Sequence, residues 1–155
     1  MGQGSTAASA AFDLARFLEA QAPVYERVRN ELEAGRKDSH WMWFIFPQLR
    51  GLGQSAMARR YGLSGLAEAQ AYLRHAVLGA RLIECTELVN GAAVASIRHV
   101  FGSPDDLKFC SCITLFAALP AAPSVFTQAL ERYYDGRADP LTIGALACER
   151  SKGAG

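Results

Sequence analysis

The sequence predicts an all-α protein, a compact single domain of eight or nine mostly short helices, and three observations carry that prediction. No segment alternates apolar and polar residues with the two-residue period of a strand. Apolar side chains recur at three- and four-residue intervals instead, as in Leu78, Leu82, Cys85 and Val89. Proline and glycine punctuate the chain at short intervals, which keeps each helix brief.

The opening residues 1–11, MGQGSTAASAA, are small and polar and predict a flexible leader. Met1-Gly2 with Thr6 also matches the short N-myristoylation pattern, which matters only where the acyltransferase is present. Asp13 is the expected cap of a short helix carrying Leu14, Phe17 and Leu18. Pro23 stands at the first position of a second helix, whose stripe of Val24, Val28 and Leu32 stops at Gly35. Ser39 is the expected cap of the aromatic run from Trp41 to Phe46, and Pro47 ends that run because proline lacks the N–H a helix needs. Ser55 and Ser64 each open a short helix, the first through Tyr61 and the second over Leu66 to Leu73. His75 precedes a stronger helix that Gly91 closes, and Val94 to Phe101 forms a weaker one ending at Gly102.

Ser103-Pro104-Asp105-Asp106 is a helix start with three agreeing cues: a hydroxyl cap, a proline at the first helical position, and acids over the positive end of the dipole. After Pro120 and Pro123, the face of Val125, Phe126, Ala129, Leu130 and Tyr133 is again helical. Asp139-Pro140 starts a last short helix through Leu146. Residues 12–148 therefore read as a single helical domain, with residues 149–155 as a flexible tail.

Half of the 155 residues are hydrophobic, enough for a sizeable core without metal or disulfide staples. Charged residues make up 20% of the chain and the formal net charge is +1, which argues against disorder and against a nucleic-acid surface. Arg36-Lys37 and Arg59-Arg60 are isolated pairs, not a stripe that follows phosphates. The run from Trp41 to Phe46 is far shorter than the roughly 20 residues of a membrane-spanning helix, so no membrane partner is expected. Cys85, Cys110, Cys112 and Cys148 lack a C-x-x-C step and no secretory segment precedes them, which predicts reduced thiols and a cytoplasmic location. Cys110 and Cys112 stand about 200° apart around a helix and cannot share a metal. With no HExxH, Walker loop, GxGxxG or Ser-His-Asp order, neither metal nor cofactor is expected.

The candidate site centres on the stretch KDSHWMWFIFPQ, residues 37–48, which holds both tryptophans. Such aromatics are usually core, with the indole N–H bonded to a nearby acceptor. Yet Lys37, Ser39, His40 and Gln48 bracket the run with polar groups, the composition of a pocket with hydrophobic walls and a few oriented polar groups. A second cluster follows the Ser-Pro start: Lys108, Ser111 and Thr114 drift slowly around one helix side, and a cation there can hold an anion. Asp106 joins this cluster, whereas Asp105 reads as an ordinary first-turn acid. His75 reads as either a cap or a ligand-facing residue, and His99 as surface.

The runs GRKDSHWMWFIFPQLRGLGQS, AYLRHAVLGARLIECT and FGSPDDLKFCSCITLF resemble the bacterial domain-of-unknown-function family 1810, from about Asp13 to Leu146. The resemblance implies a compact, mainly α-helical fold and brings no established activity. A calpastatin-like label on some members does not suit this chain, because inhibitor segments of that kind are polar and disordered. The family pattern shares Lys37, His40, Gln48, Ser55, His75, Asp106, Lys108, Ser111 and Thr114 with this chain. Cys112 stands where that pattern carries a second serine after Lys108, which removes any role for that hydroxyl.

Together these residues predict a pocket for a nucleotide- or sugar-phosphate-like small molecule. Trp41, Trp43 or Phe44 would stack on a planar group and Lys108 or Lys37 would meet an anion. Gln48, Ser55, His75, Ser111 and Thr114 would complete the lining. A catalytic version is a hydrolase or glycosidase with His40 or Asp106 as general base and Lys108 stabilising developing charge. The alternative is a non-catalytic protein-interaction module that displays its aromatics on a convex surface.

Overall fold

The computed structural model describes residues 12–154, so the leader predicted over residues 1–11 lies outside the described residues. Ten helices occur among the described residues: α1 (Ala15–Gln21), α2 (Tyr25–Glu33), α3 (Met42–Ile45), α4 (Ala56–Tyr61), α5 (Leu66–Arg74), α6 (Leu78–Asn90), α7 (Ile97–Phe101), α8 (Asp105–Ala117), α9 (Val125–Tyr134) and α10 (Pro140–Ala154). The all-α class is as predicted, with ten helices in place of eight or nine. Extended pairing among the described residues is limited to one parallel bridge between Leu49 and Leu63.

Two helices form the centre. After Lys108, α8 is buried on every side from Phe109 to Phe116, apolar except for Ser111 and Thr114, as it packs against α5, α7, α9 and α10. Helix α6 is the second hub and contacts α2, α3, α5 and α9. Where α5 turns into α6, a Cβ on Gly79 would lie 1.9 Å from the Leu73 carbonyl oxygen, so only glycine permits this approach. The aromatic run of α3 feeds the same core. Trp41, Phe46, Phe101 and Phe109 interlock, with ring centroids 5.0 Å apart for Phe46–Phe109 and 6.2 Å for Trp41–Phe46.

Several boundaries differ from the sequence reading because tertiary partners replace local caps. Helix α1 follows Leu14, and no side chain caps it at Asp13. Ser39 does not cap α3, since its hydroxyl donates to Glu31. Helix α8 starts at Asp105 without a serine cap; the Ser103–Pro104 peptide is cis, and the amides of Leu107 and Lys108 both reach the Pro104 carbonyl. Helix α10 continues past Leu146 to Ala154, through most of the segment predicted as a tail. Its extension has a structural partner: the Glu149 carboxylate accepts the Leu66 N–H at 3.0 and 3.1 Å, capping α5, whose own N-cap residue, Gly65, has no side chain to do so.

Candidate functional site

The segment carrying Lys37 and Trp41 is fixed by one carboxylate. Glu31, on the flank of the α2 stripe, accepts the backbone N–H groups of Asp38 at 2.7 Å and Ser39 at 3.0 Å, the Ser39 hydroxyl, and the Trp41 indole N–H at 2.9 Å. Partial burial acts to raise the Glu31 pKa. The bonds from Ser39, Asp38 and Trp41 outweigh it and hold the carboxyl below its ordinary range. The Lys37 N–H donates to the Val100 carbonyl at 2.7 Å, which ties this segment to α7.

That tie brings Lys37 to the first turn of α8. Its ammonium lies 2.9 Å from Asp105 Oδ2, while the ammonium of Lys108 lies 3.3 Å from Asp105 Oδ1. One carboxylate thus faces two cations, each on its own oxygen. Both cations also lie over indoles: Lys37 Nζ is 5.3 Å from the Trp41 ring centroid, and Lys108 Nζ is 4.7 Å from that of Trp43. The side chains remain 9% exposed for Lys37, 26% for Lys108 and 19% for Asp105, so the triad is partly open to solvent.

A cleft of about 450 Å³ adjoins Lys37. Arg36, Lys37, Arg98 and His99 line it together with Val100, Phe101 and Gly102, and no carboxylate does. Gly102 has φ +70°, which turns the chain sharply between α7 and Asp105. A concave wall of one charge sign raises the local concentration of the opposite ion.

The remaining predicted residues divide into separate structural roles. Trp41 is 1% exposed with its N–H held by Glu31, so it presents no face to a guest and the expected stacking on it is corrected. Trp43 is half-buried and shares a narrow crevice with Gln48, Met57 and Tyr61. Ser55 accepts the Ala58 N–H at 3.1 Å and caps α4. His75 Nδ1 accepts the N–H groups of Val77 and Leu78 at 3.1 and 3.2 Å, the cap alternative for that residue. Ser111 donates to Asp139 Oδ2 at 3.0 Å and Thr114 Oγ1 accepts the Asp139 N–H at 2.9 Å, so both hydroxyls hold the start of α10 rather than the lysines. His40 is exposed.

Asp106 is buried, and its Oδ1 has no partner in the protein. The Tyr134 hydroxyl donates to the Asp106 backbone carbonyl at 2.6 Å, which ties this turn of α8 to α9. One helix position separates the two acids by about 100°, so it is Asp105 that meets the lysines. Asp105 and Glu31 are the two residues the sequence reading missed. A charged residue three positions after the buried Val28 was the available signal for Glu31.

A larger cleft, about 510 Å³, lies elsewhere and is lined by Asp13, Arg16, Arg50, Arg60, Ser64 and Glu68 among others. Arg16 is already engaged there by Glu68 at 3.0 Å and by the carbonyls of Asp13, Arg60 and Gly62. Its lining holds three arginines and two carboxylates, and Arg16 is already paired with one of the carboxylates. Among the described residues no cluster of three His, Cys, Asp or Glu could hold a metal, and no helix is long and apolar enough to cross a membrane.

The fold and this basic face define a small helical protein built around two central helices, with a lysine-rich seam at the start of α8. The chain belongs to the family described as Protein of unknown function (DUF1810), whose model matches residues 11–146. It is similar to the conserved hypothetical protein Rv1873 from Mycobacterium tuberculosis, known from a crystal structure, at 58% sequence identity and a TM-score of 0.87. The match covers 88% of this chain and 98% of that one. No curated protein matches the chain.

Proposed function

We propose that the chain forms a single helical domain, from residue 12 through α10, that binds a small anionic ligand of the nucleotide or sugar-phosphate class at the Lys37–Lys108 face. The observation that carries this reading is the pair of ammonium groups, drawn from distant parts of the chain onto opposite oxygens of one carboxylate, beside a cleft whose ionisable lining residues are all bases. A fold-stabilising ion pair needs one cation per carboxylate. A second cation leaves the triad with one net positive charge, part of it open to solvent at Lys108. The indoles beneath act as platforms for the ammonium groups, and of the two only the half-buried Trp43 is open to contact with a guest.

A catalytic version has less support, because His40 is exposed, Asp106 is buried, and the one carboxylate beside the lysines, Asp105, is engaged by both ammonium groups. The interaction-module reading keeps one observation of its own: Leu107, Leu141 and Ile143 are exposed large hydrophobics. A thermal-shift panel of pyrophosphate, AMP and ribose 5-phosphate separates the two. At a hundredfold excess over Kd, a ligand adds about 2.7 kcal/mol, which raises Tm by roughly 5–10 °C for a chain of this size. The binding reading expects that rise in the wild type and its loss in Lys108→Ala. A wild type that does not respond to any of the three at millimolar concentration favours the interaction module.

A further inference from the structure

We propose that Asp105 is a built-in counter-ion for the lysine pair, and that the ligand displacing it is a phosphate dianion and not a carboxylate. The inference rests on the anion-binding reading above and names the ligand class and gate of that same site. Each Asp105 oxygen is held by a different ammonium, so no lone cation is left between Lys37 and Lys108 for an incoming anion. A guest must therefore take the place of this carboxylate to reach both lysines.

Exchange of one carboxylate for another is unfavourable here, because Asp105 is tethered and acts at a high effective concentration while a free carboxylate brings the same charge and shape. A phosphate monoester or pyrophosphate adds a further negative charge and more acceptor oxygens, which two ammonium groups can divide. Displacement leaves Asp105 in a favourable place. It stands at the first position of α8, beside the positive end of the helix dipole, and is partly exposed to water. The adjoining cleft of Arg36, Arg98 and His99 has room for the rest of such a molecule.

The experiment is an NMR titration of the folded chain with inorganic pyrophosphate and, separately, with acetate, on the wild type, Asp105→Asn and Lys108→Ala. Removal of the carboxylate raises the triad from one net positive charge to two. Asp105→Asn is expected to bind pyrophosphate about tenfold more tightly than the wild type and to gain a measurable response to acetate that the wild type lacks. Lys108→Ala is expected to lose most of the pyrophosphate response. Asp105→Ser serves as a second neutral variant, since serine suits a helix start.

Equal pyrophosphate affinity in the wild type and both neutral variants, with loss only in Lys108→Ala, would overturn the counter-ion role and leave anion binding standing. Absence of any response in the wild type and both neutral variants, all folded, would overturn both. Unfolding of both neutral variants would make Asp105 a structural requirement and overturn the counter-ion role.

Discussion

Helix α8 carries two polar seams, each organised around one aspartate. At Asp139 the partners are neutral: the Ser111 hydroxyl, the Thr142 hydroxyl and N–H, and the Thr114 oxygen that accepts the Asp139 N–H. These contacts cap the first turn of α10, and the aspartate's own negative charge is met by neutral donors at the positive end of the helix. At Asp105 the partners are two ammonium groups over indoles, with net positive charge and a basic cleft alongside. Neutral donors around a carboxylate finish a cap, whereas surplus cations leave an unmet demand for negative charge. The first seam is architecture and the second is the candidate for ligand binding.

The largest effect expected on either side of this contrast lies beneath the Asp105 seam. Trp41→Ala should destabilise the fold by about 3–5 kcal/mol in urea titration, as for other buried aromatics, while Trp43→Ala, half-buried, should cost about 1 kcal/mol. Equal costs would erase the distinction between a sealed and a peripheral indole. Asp139→Ala should cost about 1–3 kcal/mol through the lost cap and leave any pyrophosphate-induced rise in Tm unchanged. A lost pyrophosphate response in that variant would join the two seams into one site.

Glu31→Gln should cost about 1 kcal/mol at neutral pH, since four donors converge on that carboxylate. The Glu31 pKa is lower in the folded chain than its ordinary value, so the folded state binds its proton less readily than the unfolded one. Its contribution is present above the ordinary Glu range and fades as pH falls through the lowered folded value. Urea titrations in acid should therefore bring wild type and Glu31→Gln together, and a gap that persists at low pH contradicts the hub role.

Lys108→Ala should change stability by less than about 1 kcal/mol, because the ion pair it breaks is partly exposed and local. Its effect should appear in the anion response alone. The smallest effect concerns the thiols. Burial pushes Cys85 up to about 12 and Cys110 up to about 11, and raises Cys112 as well, whereas Cys148 is exposed. Mass spectrometry after iodoacetamide treatment at neutral pH should find one adduct, on Cys148. An adduct on Cys110 or Cys112 of the folded protein would show that α8 opens, and one on Cys85 that α6 does.

The helices with one-sided stripes were legible in the sequence: α6 with Leu78, Leu82, Cys85 and Val89, and α9 with Val125, Phe126, Ala129 and Leu130. The Asp139-Pro140 start of α10 was legible too, because a cap acts within one turn. Ser39 and Ser103 were misread as caps because a serine before an apolar run looks the same whether its hydroxyl turns to its own helix or to Glu31. The aromatic stretch gave no periodicity, so nothing in it told the sealed Trp41 from the half-buried Trp43. Which of Asp105 and Asp106 meets the lysines was not legible in the sequence, for a geometric reason. Adjacent helix positions diverge by about 100°, and only the packing of residues 36–41 against α7 reveals which acid Lys37 reaches.

The most direct measurement is an amide NMR map of the wild-type chain titrated with pyrophosphate. The lysine-pair account predicts shifts concentrated in residues 36–43 and 98–108, with the amides around Ser111, Thr114 and Asp139 unmoved. Shifts centred on Arg16, Arg50 and Arg60, or no shifts at millimolar pyrophosphate, would contradict it.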